Sequence, residues 1–157
     1  FGRNNSLNYR IVRRTAHNRD ADLASLISTL ATEPDFDLSL KSQAFEFLCL
    51  NHTFISYIAA LGAHREQLHD QATLALLKQA LADIRGALLY DEMPELSLHN
   101  MQQTLRERQN ASDAESTQVL IILQQLSLMF SILKQLSTLK QSLSHDRDEQ
   151  ATELASL

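Results

Sequence analysis

The chain is organised around the sequence AFEFLCLNHTFISYIAALGAHR, which runs from Ala44 to Arg65. Between Glu46 and Arg65 it contains no Asp, Glu, Lys or Arg, and it contains no proline. A helix that is apolar on nearly every side has to be covered by other helices. We therefore expect the central helix of the fold here, with Asn51 and His52 as two polar side chains among apolar ones.

The composition of the whole chain favours helices over strands. Its 157 residues include only 3 glycines and 2 prolines, and 6% of the residues are aromatic. A β-sandwich or barrel needs frequent turns, which are built mainly from Gly, Pro, Asn and Asp. The length is that of one domain. We expect an all-α fold, namely an antiparallel helical bundle of four main helices plus one short helix.

Apolar residues recur at three- and four-residue spacings in five segments. These segments predict helices over residues 6–32, 38–69, 71–90, 95–109 (the short one) and 113–144, with a polar tail over 145–157. Residues 1–144 are expected to form one soluble bundle. Glu33-Pro34 ends the first helix, because the residue before a proline is displaced from the α region. Asp37 or Ser39 is expected to cap the second helix.

The single cysteine and the N-terminus indicate the compartment. Cys49 lies inside the apolar stretch and has no second cysteine with which to form an internal disulfide. We expect a small buried side chain in a reducing compartment. No apolar signal-peptide segment follows the N-terminal arginines. The most apolar window, residues 45–63, contains Glu46 and several other polar residues, so we expect no membrane-spanning helix.

Charge is distributed unevenly along the chain. There are 14 Lys and Arg against 19 Asp and Glu, yet residues 1–19 contain five arginines and no acidic residue. The remainder is therefore strongly acidic, which argues against a nucleic-acid-binding surface. A basic segment ahead of an acidic domain is typical of a segment just inside a membrane. A solvated helix face accounts for the same charges equally well.

No enzyme motif is present in the sequence. The three glycines form no phosphate-binding loop, and GxSxG, HExxH and a Cys/His cluster are absent. The acidic residues lie in loops and on polar faces rather than in an apolar cleft. We expect neither enzymatic activity nor a cofactor.

The first candidate site is the pair His17 and Asp20, which share a helix face at a spacing of three. In the core of a helical bundle, a His and an acidic residue at this spacing can both bind a metal ion when other helices supply further carboxylates. No second helix offers a buried Asp or Glu opposite, so we expect no metal. A hydrogen bond between His17 and Asp20 that fixes helix packing is the favoured interpretation.

The second candidate site lies in the apolar stretch. Asn51 and His52 are expected to point in different directions, whereas His52 and Ser56 share a face. If His52 faces His17, the two histidines form a buried polar layer that fixes the register of the first two helices rather than adding stability. A third candidate is the end of the stretch, where Arg65, beside His64, is available to pair with a carboxylate.

Two segments resemble the YccS/YhfK branch of the fusaric acid resistance family. They are RRTAHNRDADLASLISTLATEP, which begins at Arg13, and FEFLCLNHTFISYIAALGAHRE, which begins at Phe45. The matching positions are Arg13, Arg14, Ala16, His17, Asp20, Ala21, Leu23, Glu33, Pro34, His52, Tyr57, Ile58, Ala60, Leu61, Gly62, Ala63, His64 and Arg65. The match is strong over residues 10–66 and vague beyond them.

The resemblance implies a place in a larger protein. Family members are bacterial inner-membrane proteins with transmembrane helix bundles and cytoplasmic helical domains, and some resemble exporters of aromatic carboxylic acids. The chain is then the C-terminal cytoplasmic domain of a multi-span protein, and its first partner is its own transmembrane domain. The motifs do not disclose a substrate.

Three functions are compatible with these observations. The leading one is a non-catalytic cytoplasmic domain of an inner-membrane efflux transporter, which supports assembly or gates the pore. The second is a sensor in which Arg13, His17, His52 and Arg65 bind a small organic anion. The third is a homo-oligomerisation module that uses an apolar stripe of the last helix. This stripe has heptad spacing and comprises Val119, Ile122, Leu126, Met129, Leu133 and Leu136.

Overall fold

The structure of the protein is a computed structural model that contains helices and no strand in the part it describes. The described residues are 2–34, 37–64, 71–90, 99–100, 103–104, 106 and 114–155. Four long helices run through them: α1 (Gly2–Ala31), α2 (Leu38–His64), α3 (Gln71–Tyr90) and α4 (Ala114–Ala155). The all-α prediction is confirmed.

The connection between α1 and α2 follows the local signals in the sequence. The amides of Thr32 and Glu33 donate to carbonyls three residues earlier, each at 3.1 Å, and the helix ends before the proline. The Asp37 carboxylate then accepts a hydrogen bond from the amide of Ser39 at 3.1 Å. The Asp37 carbonyl accepts the first helical bond from Lys41 at 3.0 Å. Asp37 is therefore the N-cap of α2.

The later helices agree with the sequence in part. α3 has the predicted bounds, whereas α4 continues to Ala155 instead of ending at residue 144. No glycine or proline follows Ser144, so the polar tail carries no stop signal. In the segment predicted as a short helix, residues 99–100, 103–104 and 106 are helical. The rest of that segment lies outside the described residues, so the fifth helix stays a prediction.

The chain groups into two compact units. The first comprises Phe1–Ser56 and Thr138–Leu157. Within it, the Lys41 ammonium donates to the Glu33 carbonyl at 3.2 Å, while Asp20 faces residues 51 and 52. The start of α2 therefore lies beside the end of α1, and the two helices run antiparallel. The buried apolar side chains of this unit are Ile27, Phe54 and Leu139.

The second unit comprises Tyr57–Ser137. α3 contributes one buried stripe, made of Thr73, Ala80, Ile84 and Ala87. α4 contributes a wider one, made of Val119, Ile122, Leu123, Leu126, Met129, Phe130, Ile132 and Leu133. The largest fully buried side chains of the described chain all lie on α4.

The expectation that α2 is the central helix is wrong. Phe54 is the one buried side chain among its described residues, while Phe45 and Ile58 are 46% and 42% exposed. An apolar sequence shows that a helix needs to be covered, but it does not show which residues cover it. In the described chain the well-covered helix is α4.

Among the described residues, two helices are long and apolar enough to cross a membrane, over Leu38–Gly62 and Val119–Ser144. The core helix of a soluble protein meets the same requirement, and 44% of the second window is buried against 11% of the first. The expectations of a soluble domain and of no membrane-spanning helix therefore stay predictions.

The heptad stripe of the last helix is used inside the chain. Its first five members, Val119, Ile122, Leu126, Met129 and Leu133, are at most 4% exposed. A second copy of the chain cannot reach these side chains while the second unit is folded. These five side chains are therefore not an open surface for a second copy, and homo-oligomerisation itself stays a prediction.

Candidate functional site

Asp20 is the one buried charged side chain in the described part of the chain, and it joins α1 to α2. Its Oδ1 accepts a hydrogen bond from Nδ2 of Asn51 at 2.8 Å. Its Oδ2 is bonded to Nδ1 of His52 at 2.6 Å. Both oxygens of a buried carboxylate are thus satisfied by neighbouring residues of a single partner helix, which offsets the cost of burying the charge.

The chemistry of a carboxylate sets the direction of the bond to His52. An ionised carboxylate only accepts hydrogen bonds, so Nδ1 of His52 carries the hydrogen and donates it. The two partners differ in exposure, because the side chain of Asp20 is 8% exposed and that of His52 is 63% exposed. His52 is bonded to Asp20 through Nδ1, and much of its imidazole ring is exposed to solvent.

Asn51 and His52 were expected to point in different directions, and they bond to different oxygens of Asp20. Successive side chains diverge by about 100° around a helix. Asp20 presents two oxygens, however, and each of the diverging side chains reaches one of them. One carboxylate therefore binds both Asn51 and His52.

His17 does not form the hydrogen bond with Asp20 that the sequence predicted. Within the described chain the two Asp20 oxygens bond to α2 instead. His17 and His52 nevertheless line the same cavity, as expected if the two histidines face one another. The two histidines do not form the buried polar layer that was expected, because the side chain of His52 is 63% exposed.

The cavity lies between α1 and α2 and has a volume of about 550 Å³. It is lined by His17, Asp20, Ala21, Ala24, Leu48, Cys49, His52 and Thr53. None of these residues is Lys or Arg, and Asp20 is the acidic residue among them. Cys49 is exposed here, so the expectation of a buried cysteine is wrong. Cys49 stands three residues before His52, which places both on the side of α2 that faces the cavity.

The other candidate residues do not join this cluster. The Ser56 hydroxyl donates to the backbone carbonyl of His52 at 2.9 Å, so it is bonded within its own helix. Arg13 is exposed and does not line the cavity. His64 is the last residue of α2 and its side chain is not described, while Arg65 lies outside the described residues.

A metal site at His17 and Asp20 would need further ligands from neighbouring helices. Among the described residues, no group of three or more His, Cys, Asp and Glu side chains is placed to hold a metal ion. The carboxylate of Asp20 is already occupied by Asn51 and His52. What the arrangement does is connect two helices through one buried charge.

Comparison with known proteins relates the chain to one inner membrane protein and to one uncharacterized protein. It is 41% identical over 145 residues to the inner membrane protein YccS of Escherichia coli K12, covering 91% of the chain and 20% of YccS. It is 29% identical over 146 residues to an uncharacterized protein of Haemophilus influenzae, covering 86% of the chain and 20% of that protein. The chain thus spans about a fifth of the length of each relative. No family model and no solved structure matches it.

The similarity to YccS extends well beyond the two motifs at residues 10–66. It covers 91% of the chain and therefore includes helices whose sequences carry no recognisable motif. The resemblance noted in the sequence is confirmed. Over 91% of its length the chain is similar to one part of the inner membrane protein YccS, in agreement with the branch that the two sequence motifs resemble.

Proposed function

We propose that the chain is a non-catalytic cytoplasmic part of an inner-membrane efflux transporter, where it supports assembly or gating. The observation that carries the proposal is the relationship to YccS, an inner membrane protein of which the chain covers 20%. The transmembrane part would be supplied by residues outside this segment. The five arginines among residues 1–19 support the cytoplasmic side, because basic residues are retained there.

The Asp20 cluster supports a mechanical role. One carboxylate holds two side chains of α2, so a displacement of α1 at Asp20 acts on α2 at residues 51 and 52. Coupling of this kind requires a contact that both elements share. We propose that the Asp20 cluster transmits movements between the membrane part and the rest of the chain.

Cys49 gives a direct test of the side of the membrane. Full-length protein in which Cys49 is the single cysteine is treated with a membrane-impermeant maleimide, and labelling is read as a mass shift. We expect no labelling in intact cells and complete labelling after the cells are broken open without detergent. The physical reason is that Cys49 is exposed, so only the membrane barrier protects it.

The control for background labelling is the Cys49→Ala protein. Labelling in intact cells would place α2 on the outer side. Labelling only after denaturation in detergent would place α2 within the bilayer, as its length and hydropathy allow. Either result contradicts the proposal.

His52 gives a test of gating in the full-length protein. His52→Leu removes one of the two hydrogen bonds to the Asp20 carboxylate and keeps a side chain of similar volume. We expect reduced efflux at matched amounts of membrane protein, measured as lower resistance of the cells to a panel of toxic aromatic carboxylates. Ser56→Ala is the matched control, since Ser56 bonds only to the backbone of His52 among described residues. Unchanged efflux in the His52→Leu protein would rule out a transport role for His52.

A ligand-sensing function has one observation in its favour, the cavity of about 550 Å³, which falls in the size range of small-molecule sites. Its charge does not suit the organic anion expected from the sequence. Asp20 is negative, Arg13 lies elsewhere on α1, and no Lys or Arg is among the lining residues. The geometry therefore favours the mechanical role.

A further inference from the structure

The N-terminal half of α1 carries a surface that the Asp20 cluster does not use. Residues 1–19 contain five arginines, and the first acidic residue of the chain is Asp20. Arg10, Arg13 and Arg14 are exposed, and the described chain shows no ion pair for any of them. Arg19 differs, because it lies 3.8 Å from the carboxylate of Asp22.

Large apolar side chains are exposed next to these arginines on α1. Leu7 is 54% exposed, Ile11 is 55% exposed and Val12 is 67% exposed. Exposed apolar residues are common singly, but here three occur within six residues of a helix that contains no acid in this part. Within the described residues, this part of α1 therefore combines exposed apolar side chains with basic side chains that form no ion pair.

The helix period places four of these residues on one side. Leu7, Ile11 and Arg14 follow a spacing of four and three residues, and Arg10 lies beside them. At about 100° per residue, Leu7 and Ile11 lie on the opposite side of α1 from the buried Asp20 and Ile27. We call Leu7, Arg10, Ile11 and Arg14 the outer face of α1. The described chain packs against the other side of the helix and leaves this face open.

The chemistry of the outer face fits one kind of partner. A helix face that combines arginines with Leu and Ile is typical of binding to an anionic membrane surface, where guanidinium groups meet phosphates and apolar side chains enter the headgroup region. A nucleic acid would pair with the arginines but would leave Leu7 and Ile11 in water. The relationship to an inner membrane protein places such a surface within reach.

We propose that the outer face of α1 binds the anionic lipid headgroups of the bilayer. Arg10 and Arg14 pair with lipid phosphates, and Leu7 and Ile11 insert between the headgroups. The proposal deepens the proposed function by naming a partner, and it rests on that function for the nearness of the membrane. Transport itself is not required for the binding.

The experiment measures vesicle binding by the chain with a single tryptophan. The sequence contains no Trp, so Leu7→Trp introduces one fluorescent reporter into the outer face. With vesicles of equal parts phosphatidylglycerol and phosphatidylcholine, we expect a blue shift of emission that high salt reverses. With phosphatidylcholine alone we expect no shift. Circular dichroism confirms that the reporter chain keeps its helices.

Charge reversal tests the arginines. Each basic residue near an anionic surface contributes about fivefold in affinity, so Arg10→Glu with Arg14→Glu is expected to weaken binding at least about 25-fold. The matched control is Lys78→Glu with Arg85→Glu, two exposed positions of α3 that give the same change in net charge. The control is expected to bind almost as well as the reporter chain.

Three results would overturn the lipid proposal. They are equal binding to neutral vesicles, no binding to either vesicle, and equal weakening by the two double variants. The Cys49 labelling reports the side of the membrane independently. A chain that labels only after cell breakage but binds no vesicle would leave the proposed function standing and remove the lipid partner alone.

Discussion

Replacing Phe130 with alanine is expected to lower the free energy of unfolding by about 3–5 kcal/mol. Phe130 is 1% exposed and is among the largest fully buried side chains of the chain. Truncation removes its apolar surface from the core and leaves a cavity, because close-packed neighbours collapse only partly into the space. Urea denaturation followed by far-UV circular dichroism measures the change.

The matched control is Leu128→Ala on the same helix. Leu128 is 41% exposed, so its truncation removes less buried surface and creates no enclosed cavity. We expect a clearly smaller loss of stability than at Phe130, with a similar dependence of the unfolding free energy on urea. Equal losses at the two positions would contradict the assignment of the core to this side of α4.

Local signals predicted the helices well. Proline and the Asp37 cap act within a few residues, so the connection between α1 and α2 and the start of α2 were predictable. α3 was predicted to the residue. The extension of α4 was missed because the polar tail was taken as a stop, whereas polarity alone does not end a helix.

Long-range packing was predicted poorly. The apolar sequence of α2 suggested the most buried helix, but burial depends on which other segments lie against it, and α4 holds most of the core. Cys49 shows the same limit, because it lies in an apolar sequence and is nevertheless exposed.

The sequence indicated one part of the Asp20 cluster, the carboxylate on the apolar side of α1, but not the residues that bind it. Asp20 follows Ala16 by four residues and precedes Leu23 and Ile27 by three and seven, so it lies on the apolar stripe of α1. That position indicates a buried carboxylate in need of partners. Its partners lie 31 and 32 residues further along the chain, and the register between two helices cannot be calculated from local spacing. For that reason the neighbouring His17 was taken as the partner.

Replacing Asp20 with alanine is expected to lower the free energy of unfolding by about 1.5–3 kcal/mol. The change removes two hydrogen bonds to a charged acceptor, of 2.8 Å and 2.6 Å, that connect α1 to α2. The loss is limited for two reasons. Alanine no longer has a charge to bury, and His52, with a side chain that is 63% exposed, recovers hydrogen bonds from water. The same denaturation experiment measures the change.

Asp22→Ala is the matched control, because it removes a carboxylate from the same helix two residues away. Asp22 is 71% exposed and its Arg19 partner lies at 3.8 Å, so the change is expected to stay within about 0.5 kcal/mol. Asp20→Asn should give an intermediate loss. Its amide has one oxygen, so it accepts from Asn51 or from His52 while its NH2 group faces the other donor.

A double-mutant cycle separates the bond to His52 from the general effect of changing Asp20. In the presence of Asp20, His52→Ala leaves a buried carboxylate with Asn51 as its remaining partner in the described chain, and this variant should be destabilised. In the Asp20→Ala background, His52→Ala removes no bond to a carboxylate and should lower the free energy of unfolding only slightly. The expected coupling energy is about 0.5–3 kcal/mol. Additive losses of stability would show that His52 and Asp20 lie near each other without an energetic coupling. A contact between α1 and α2 that lacks such coupling cannot transmit movement, so this result would contradict the mechanical role.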